Sequence, residues 1–219
     1  MNLEEVKRNW EKFAQMDPFF AILTDPSKRG GKWNVKEFFD SGVKEVEGII
    51  NTIDSLGLSL HYGRALDFGC GVGRLTQPLG ARFKEAIGVD ISSNMVNLAM
   101  KFNTLPNCKF IVNARADLSL FPDNYFDFIL SLITLQHMEP RYIRGYLLEF
   151  ARVLSHGGVG CLGIPDNTNG PKAQIHLWVQ SNRFGYLVYK NLPRRAMPVM
   201  EMHGLTRSEV TSLMNSGGL

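Results

Sequence analysis

An α/β fold with a doubly wound, mainly parallel sheet is predicted by three features of the 219-residue sequence. From residue 64 onward, short apolar runs alternate with helix-patterned segments. A glycine-rich turn follows the first run, and an acid stands at or near the end of the first and of the second. Strict β–α alternation implies parallel strands with helices on both faces. Ligands in such sheets bind beyond the carboxyl ends of the strands, where the strand order reverses. The chemistry is therefore expected in the loops that follow the strands.

The elements follow in order. Residues 1–60 read as a helical cap: Val6, Trp10 and Phe13 recur at helical spacing, and a second helix spans about 34–56. Asn34 is its N-cap, Glu37 follows three residues on, and Val43, Val46, Ile50 and Ile53 share a face. The aromatic, Pro- and Gly-containing stretch between the two helices reads as a loop-rich connection. Residues 61–219 then carry strands at 64–68, 85–90, 108–113, 126–132 and 158–164, with helices at 73–83, 93–103 and 140–154. The last helix is signalled by Pro140 at its start, by Ile143, Leu147, Phe150, Ala151 and Leu154 on one face, and by Gly157-Gly158 beyond its end.

Composition bounds the function. With 44% hydrophobic residues and 14 Phe, the chain buries a sizeable core, which excludes wholesale disorder. Against 21 acidic residues, the 24 Lys and Arg leave a net charge of +3, too little to argue for nucleic acid or a membrane surface. The charged start MNLEEVKRNWEKF has no apolar signal core, and the most apolar run is far shorter than the ~20 residues of a membrane helix. Three cysteines without a CxxC pair argue against a disulfide framework and a zinc site, so no metal and a reducing cytoplasm are expected.

The first strand runs into Gly69-Cys70-Gly71-Val72-Gly73-Arg74. A dinucleotide fingerprint places a third glycine where Arg74 stands, and a pyrophosphate over the helix that follows. Asp67, two residues before the first glycine, repels a pyrophosphate and attracts an ammonium group. The pattern D-x-G-x-G-x-G thus suits an amino-acid-bearing nucleoside better than NAD. Asp90 ends the second strand, 21 residues after Gly69, where a carboxylate accepts from two vicinal ribose hydroxyls; Ile91 then lies against the adenine. Asp117, after the third strand, is positioned to accept from an exocyclic amine.

Together, LDFGCGVGRL, GVDIS, ARADLSLFPDNYFDFILSLITLQHM and EFARVLSHGGVGCLGI resemble, in order and spacing over residues 64–164, the successive motifs of class I S-adenosylmethionine-dependent methyltransferases of the small-molecule type. The N-terminal helical segment resembles the cap of several bacterial members. The resemblance implies a Rossmann-like sheet of order 3-2-1-4-5. It implies S-adenosyl-L-methionine as cofactor, held at its methionine end by Asp67 and the Gly69, Gly71 and Gly73 backbone. Asp90 and Ile91 would hold ribose and adenine, and Asp117 and Leu118 would read the adenine edge. Ser131 and Leu132 would lie beside the sulfonium.

The implied reaction moves a methyl group to an oxygen or nitrogen of a small molecule, without a metal or a protein nucleophile. His137, just past the fourth strand, is the candidate base, or else a histidine that orients the loop. His203 precedes a helix cap formed by Thr206 and Glu209, and is a candidate for the acceptor side. Residues 165–205 form a long substrate-side insertion. Within it Trp178, Phe184, Tyr186 and Tyr189, with Trp33, Phe38 and Phe39 from the cap, are candidates to roof the acceptor. Two rival functions stay open: a cofactor-binding module without catalysis, and an NAD-dependent oxidoreductase.

Sheets of this family end in an antiparallel hairpin, and after a helix at 206–216 the sequence leaves no room for one. Either the sequence is a shortened form, or the open edge of the fifth strand is covered by residues 165–200 or by a partner chain, a homodimer included.

Overall fold

A computed structural model describes residues 2–166, 172–179, 187–192 and 202–216. The chain begins with α1 (Leu3–Met16), α2 (Pro18–Ile22) and α3 (Val35–Ser55), followed by β1 (Arg64–Phe68), α4 (Thr76–Gly80), β2 (Glu85–Asp90), α5 (Ser93–Phe102) and β3 (Cys108–Val112). It continues through β4 (Phe126–Ser131), α6 (Pro140–Val153), β5 (Leu154–Asp166), β6 (Lys172–Val179), β7 (Leu187–Leu192) and α7 (Arg207–Ser216). The sheet order is β3-β2-β1-β4-β5-β6-β7. The first five strands in that order are parallel, and β6 and β7 join antiparallel. The expected 3-2-1-4-5 sheet is therefore present.

The edge of β5 is not open. Chain from the 165–200 stretch adds β6 and β7 to it, so that edge needs no partner chain.

Alternation along β1 sorts the two faces. Leu66 and Phe68 join Ile87, Val89, Phe126 and Ile129 beneath α6 and α7, with Ile143, Leu147, Phe150, Val210 and Met214 completing that layer. Ala65 points the other way, into a layer with Phe128, Leu130, Val46, Ile50, Ile53 and Leu79 from the strands and from α3 and α4. Asp67 shares the parity of Ala65 and so faces the α3–α4 side.

Local signals hold where they are self-contained. The Asn34 side chain accepts from the Glu37 N–H (3.1 Å), and Ser92 caps α5 by accepting from the Met95 N–H (3.2 Å). Thr206 and Glu209 form the reciprocal cap of α7.

Three expectations shift. The helix expected at 73–83 is a turn followed by the short α4, in which Pro78 withholds an amide. The buried face of α3 runs Phe38, Gly42, Val46, Ile50 and Ile53, while Val43 is 40% exposed. Finally, Gly157-Gly158 lie inside β5, where the pairing with β4 changes register, because α6 passes directly into the strand.

Candidate cofactor and acceptor site

The parallel strands bring their carboxyl ends to one pocket. It is lined by Asp67, Phe68, Gly69, Cys70, Gly71, Arg74 and Leu75 from β1 and its loop, and by Val89, Asp90 and Ile91 from β2. Asn113, Leu132, Ile133, Thr134, Met138 and Tyr146 form the far wall, and Val6 and Trp10 of α1 with Ile22 of α2 close the top.

Each acid is held from behind. Thr76 Oγ1 donates to Asp67 Oδ2 at 2.6 Å. Burial pushes the Asp67 carboxyl up to about 7, against the Thr76 hydrogen bond and the Arg74 charge. Asp90 accepts the Gly71 N–H on one oxygen and the Ser92 N–H on the other, both at 2.9 Å, so it clasps the glycine loop. Burial raises its carboxyl to about 6.

These shifts fix a pH dependence. In the unfolded chain both groups ionise near the ordinary aspartate value of about 3.9, whereas the folded protein retains the protons to higher pH. The folded state thus binds more protons between about pH 4 and 7, so its stability falls as pH rises through that window. Wild type is expected to lose melting temperature between pH 5 and 7.5 relative to an Asp67→Asn/Asp90→Asn double variant. Parallel melting curves for the two proteins would overturn this.

The glycine loop bends through left-handed backbone at Gly69 (φ 81°), Gly71 (φ 52°) and Gly73 (φ 82°). Ile133, β-branched, also has a positive φ of 60°. That is a costly conformation, placed on the pocket wall directly after Leu132.

Of the residues singled out in the sequence, Asp67, Gly69, Gly71, Asp90, Ile91 and Leu132 meet in this pocket. Gly73 stands behind it, against Phe110 and Ala99. Ser131 is buried, its hydroxyl donating to the Phe68 carbonyl (3.1 Å). Asp117 and Leu118 lie off the pocket. The Asp117 carboxylate accepts from the Ser119 N–H and hydroxyl, and the Leu118 N–H donates to Glu149 Oε2 at 2.7 Å. Arg152 binds that same Glu149 and the Leu118 carbonyl, drawing the segment toward α6. The pair still adjoins the pocket wall, since Asn113 Nδ2 donates to the Asp117 carbonyl at 2.7 Å.

The candidates for the acceptor side are dispersed. His137 is 3% exposed in a 3-10 turn (Leu135–His137), with its ring edge-on to Trp10 at 5.7 Å between centroids. The His203 N–H donates to the Gln136 carbonyl, which places it beside that turn. Trp33 packs within the helical cap, its indole N–H donating to the Leu23 carbonyl, and Phe38 is fully buried there. Tyr186 and Phe184 lie outside the described residues, as do the side chains of Trp178 and Tyr189. Asn113, Tyr146, Arg74, Trp10 and Ile22 are among the pocket residues not foreseen. Asn113 had a signal in the sequence, since it follows the third strand as Asp90 ends the second. Among the described residues, no cluster of three or more His, Cys, Asp or Glu is arranged to hold a metal, and no helix is long and apolar enough to cross a membrane.

A parallel sheet of order 3-2-1-4-5 with this loop and acid pair is the arrangement that class I S-adenosylmethionine-dependent methyltransferases share, and the methyltransferase match of this chain falls on it. Residues 65–158 match the family described as Methyltransferase domain. Over 98 residues the chain is 35% identical to demethylmenaquinone methyltransferase of Tropheryma whipplei, covering 42% of this chain and 38% of that one. Over 115 residues it is 35% identical to trans-aconitate 2-methyltransferase of Methylobacterium nodulans, covering 51% and 42%. The chain thus spans less than half the length of these relatives. The fold also resembles magnesium protoporphyrin IX methyltransferase of Synechocystis, solved with bound SAH, at a TM-score of 0.61 and 16% identity over 99% of this chain and 88% of that one.

Proposed function

We propose that the protein is a methyltransferase that uses S-adenosyl-L-methionine to methylate an oxygen or nitrogen of a small-molecule acceptor. The observation that carries this reading is the pairing of Asp67 and Asp90 across one glycine loop in a pocket with apolar walls. The residues suit the cofactor: Asp67 an α-ammonium, Asp90 a ribose diol, Ile91 and Val89 the base. They suit a dinucleotide poorly. Asp67 repels a pyrophosphate, and the helix after the loop has only five residues. The small-molecule acceptor is supported by the relatives, whose names specify demethylmenaquinone and trans-aconitate. The three cysteines are free and buried, which fits a cytoplasmic setting.

When bound, the cofactor would supply a methyl group activated by its bond to a sulfonium, whose neutral thioether is the leaving group. The chain's own task is then to bind, align and dry the site, a contribution worth up to ~7–11 kcal/mol of barrier. Asp90 and Asp67 hold the two ends of the nucleoside amino acid, while Trp10, Val6, Ile22 and Met138 keep water out. His137 is absent from the pocket wall and stands behind Trp10, so we assign it the positioning of that ring rather than proton transfer.

His137→Phe is accordingly expected to keep kcat within about tenfold, with an unchanged pH profile, because losing a general base costs about 10²–10⁴. Disappearance of a pH limb in the variant would return the base to His137. The function itself is tested by calorimetry with S-adenosylhomocysteine and with NAD, and by transfer of label from methyl-labelled S-adenosylmethionine into a small-molecule extract. Binding of S-adenosylhomocysteine and label in the small-molecule fraction are expected. Binding without transfer to any fraction points to the non-catalytic module.

A further inference from the structure

Arg74 occupies the slot after the third loop glycine and carries a buried charge into the pocket. Its side chain is only 4% exposed, and the residue lines the pocket. One guanidinium nitrogen, Nη2, meets Glu45 Oε2 at 2.6 Å, and the other, Nη1, reaches Ser41 Oγ at 3.4 Å, so both are committed to α3. The helix approaches closely enough to fix the arginine stem: a Cβ on Gly42 would overlap the Arg74 carbonyl and stand 2.9 Å from its Cγ. The third nitrogen, Nε, has no hydrogen-bond partner among the described residues. A guanidinium donor buried without an acceptor is costly, and carboxylate oxygens are its best match. Asp67 faces the same pocket, close enough that the Arg74 charge acts on its carboxyl. A cation and an anion side by side at the glycine loop complement a zwitterion.

We infer that Arg74 is the carboxylate anchor for the α-amino-acid end of the ligand, with Nε donating to the carboxylate while Asp67 takes the ammonium. This rests on the cofactor reading above and adds the residue that selects an intact amino acid over an amine. It also gives α3 a part in binding, because Ser41 and Glu45 hold the guanidinium in place.

The same chemistry suits an acceptor's carboxylate, and the experiment separates the two sources. Dissociation constants are measured for S-adenosylhomocysteine and for S-adenosyl-3-thiopropylamine, which keeps the amine and lacks the carboxylate. Wild type is expected to prefer S-adenosylhomocysteine by about 10–100-fold, the range of a charge-assisted hydrogen bond. Arg74→Lys, and the charge-balanced Arg74→Gln/Glu45→Gln, are expected to bind the two within about threefold of each other. A merely structural arginine would weaken both ligands equally and leave the preference intact, which would overturn the assignment. Equal affinities in wild type would overturn it too, without any variant having to fold. Should wild type bind neither compound, the cofactor reading itself falls, a result distinct from loss of the preference alone.

Discussion

Asp90→Ala is expected to weaken binding of S-adenosylhomocysteine by about a hundredfold at pH 7.5, from the loss of two hydrogen bonds to a charged acceptor. The residue has two jobs, and the variant removes both. It presents the carboxylate proposed for the ribose diol, and it clasps the loop through the Gly71 N–H. A variant that only loosened the fold would lose melting temperature in proportion. For the protein without ligand only a modest loss is expected. Burial holds the Asp90 carboxyl up at about 6, so at pH 7.5 its charge costs folding free energy, and relief of that cost offsets part of what losing the hydrogen bonds to the Gly71 and Ser92 N–H groups costs. Titration calorimetry together with melting curves checks the pair of results. Affinity within threefold of wild type would remove Asp90 from the binding site.

Gly69→Ala carries the largest expected loss of stability, about 3 kcal/mol from a strained φ and an overfilled turn together. The backbone there has φ 81°, and its N–H is committed to the Val89 carbonyl at 2.7 Å, so the turn cannot relax by rotating. An added Cβ would overlap Oγ1 and Cγ2 of Thr134 and stand 2.7 Å from the Thr134 Cβ. Thermal unfolding is expected about 6–12 °C lower than wild type. Thr134→Gly in the same chain removes the overlap but not the strained φ, so it is expected to restore about half of the loss. A melting point within 2 °C of wild type for the single variant would show that the loop moves freely, in conflict with the geometry described.

The fold was legible where its causes are local. Strands, the Asn34 and Ser92 caps, the glycine turn and the acid ending the second strand each depend on a few adjacent residues. The site was legible to the same depth: Asp67, Gly69, Gly71, Asp90, Ile91 and Leu132 all line the pocket and sit within three residues of a strand end. What the sequence hid was contributed from a distance. Trp10 was visible as one member of a helical stripe, but nothing adjacent to it says that the stripe covers a pocket. The ties of Leu118 are equally distant, since Glu149 and Arg152, about thirty residues on, take its amide and carbonyl. Val43 was placed on the buried face of α3 on periodicity alone. Gly42 is buried instead, since only a residue without a side chain admits the Arg74 carbonyl so close.

Glu11 joins the first helix to the rest of the chain. Its carboxylate accepts from the hydroxyls of Ser92 and Ser93 and from the N–H groups of Ser93 and Asn94, at the start of α5. Trp10 is the adjacent residue, and through this tie it is carried over the pocket. The stretch recognisable by family, 65–158, is therefore smaller than the physical unit that makes the site. A fragment trimmed to those boundaries keeps both acids and the glycine loop but lacks Val6, Trp10 and Ile22, and so presents an uncovered groove. Homology boundaries here mark what the chain shares with its relatives, and the first two dozen residues decide whether that shared part is enclosed.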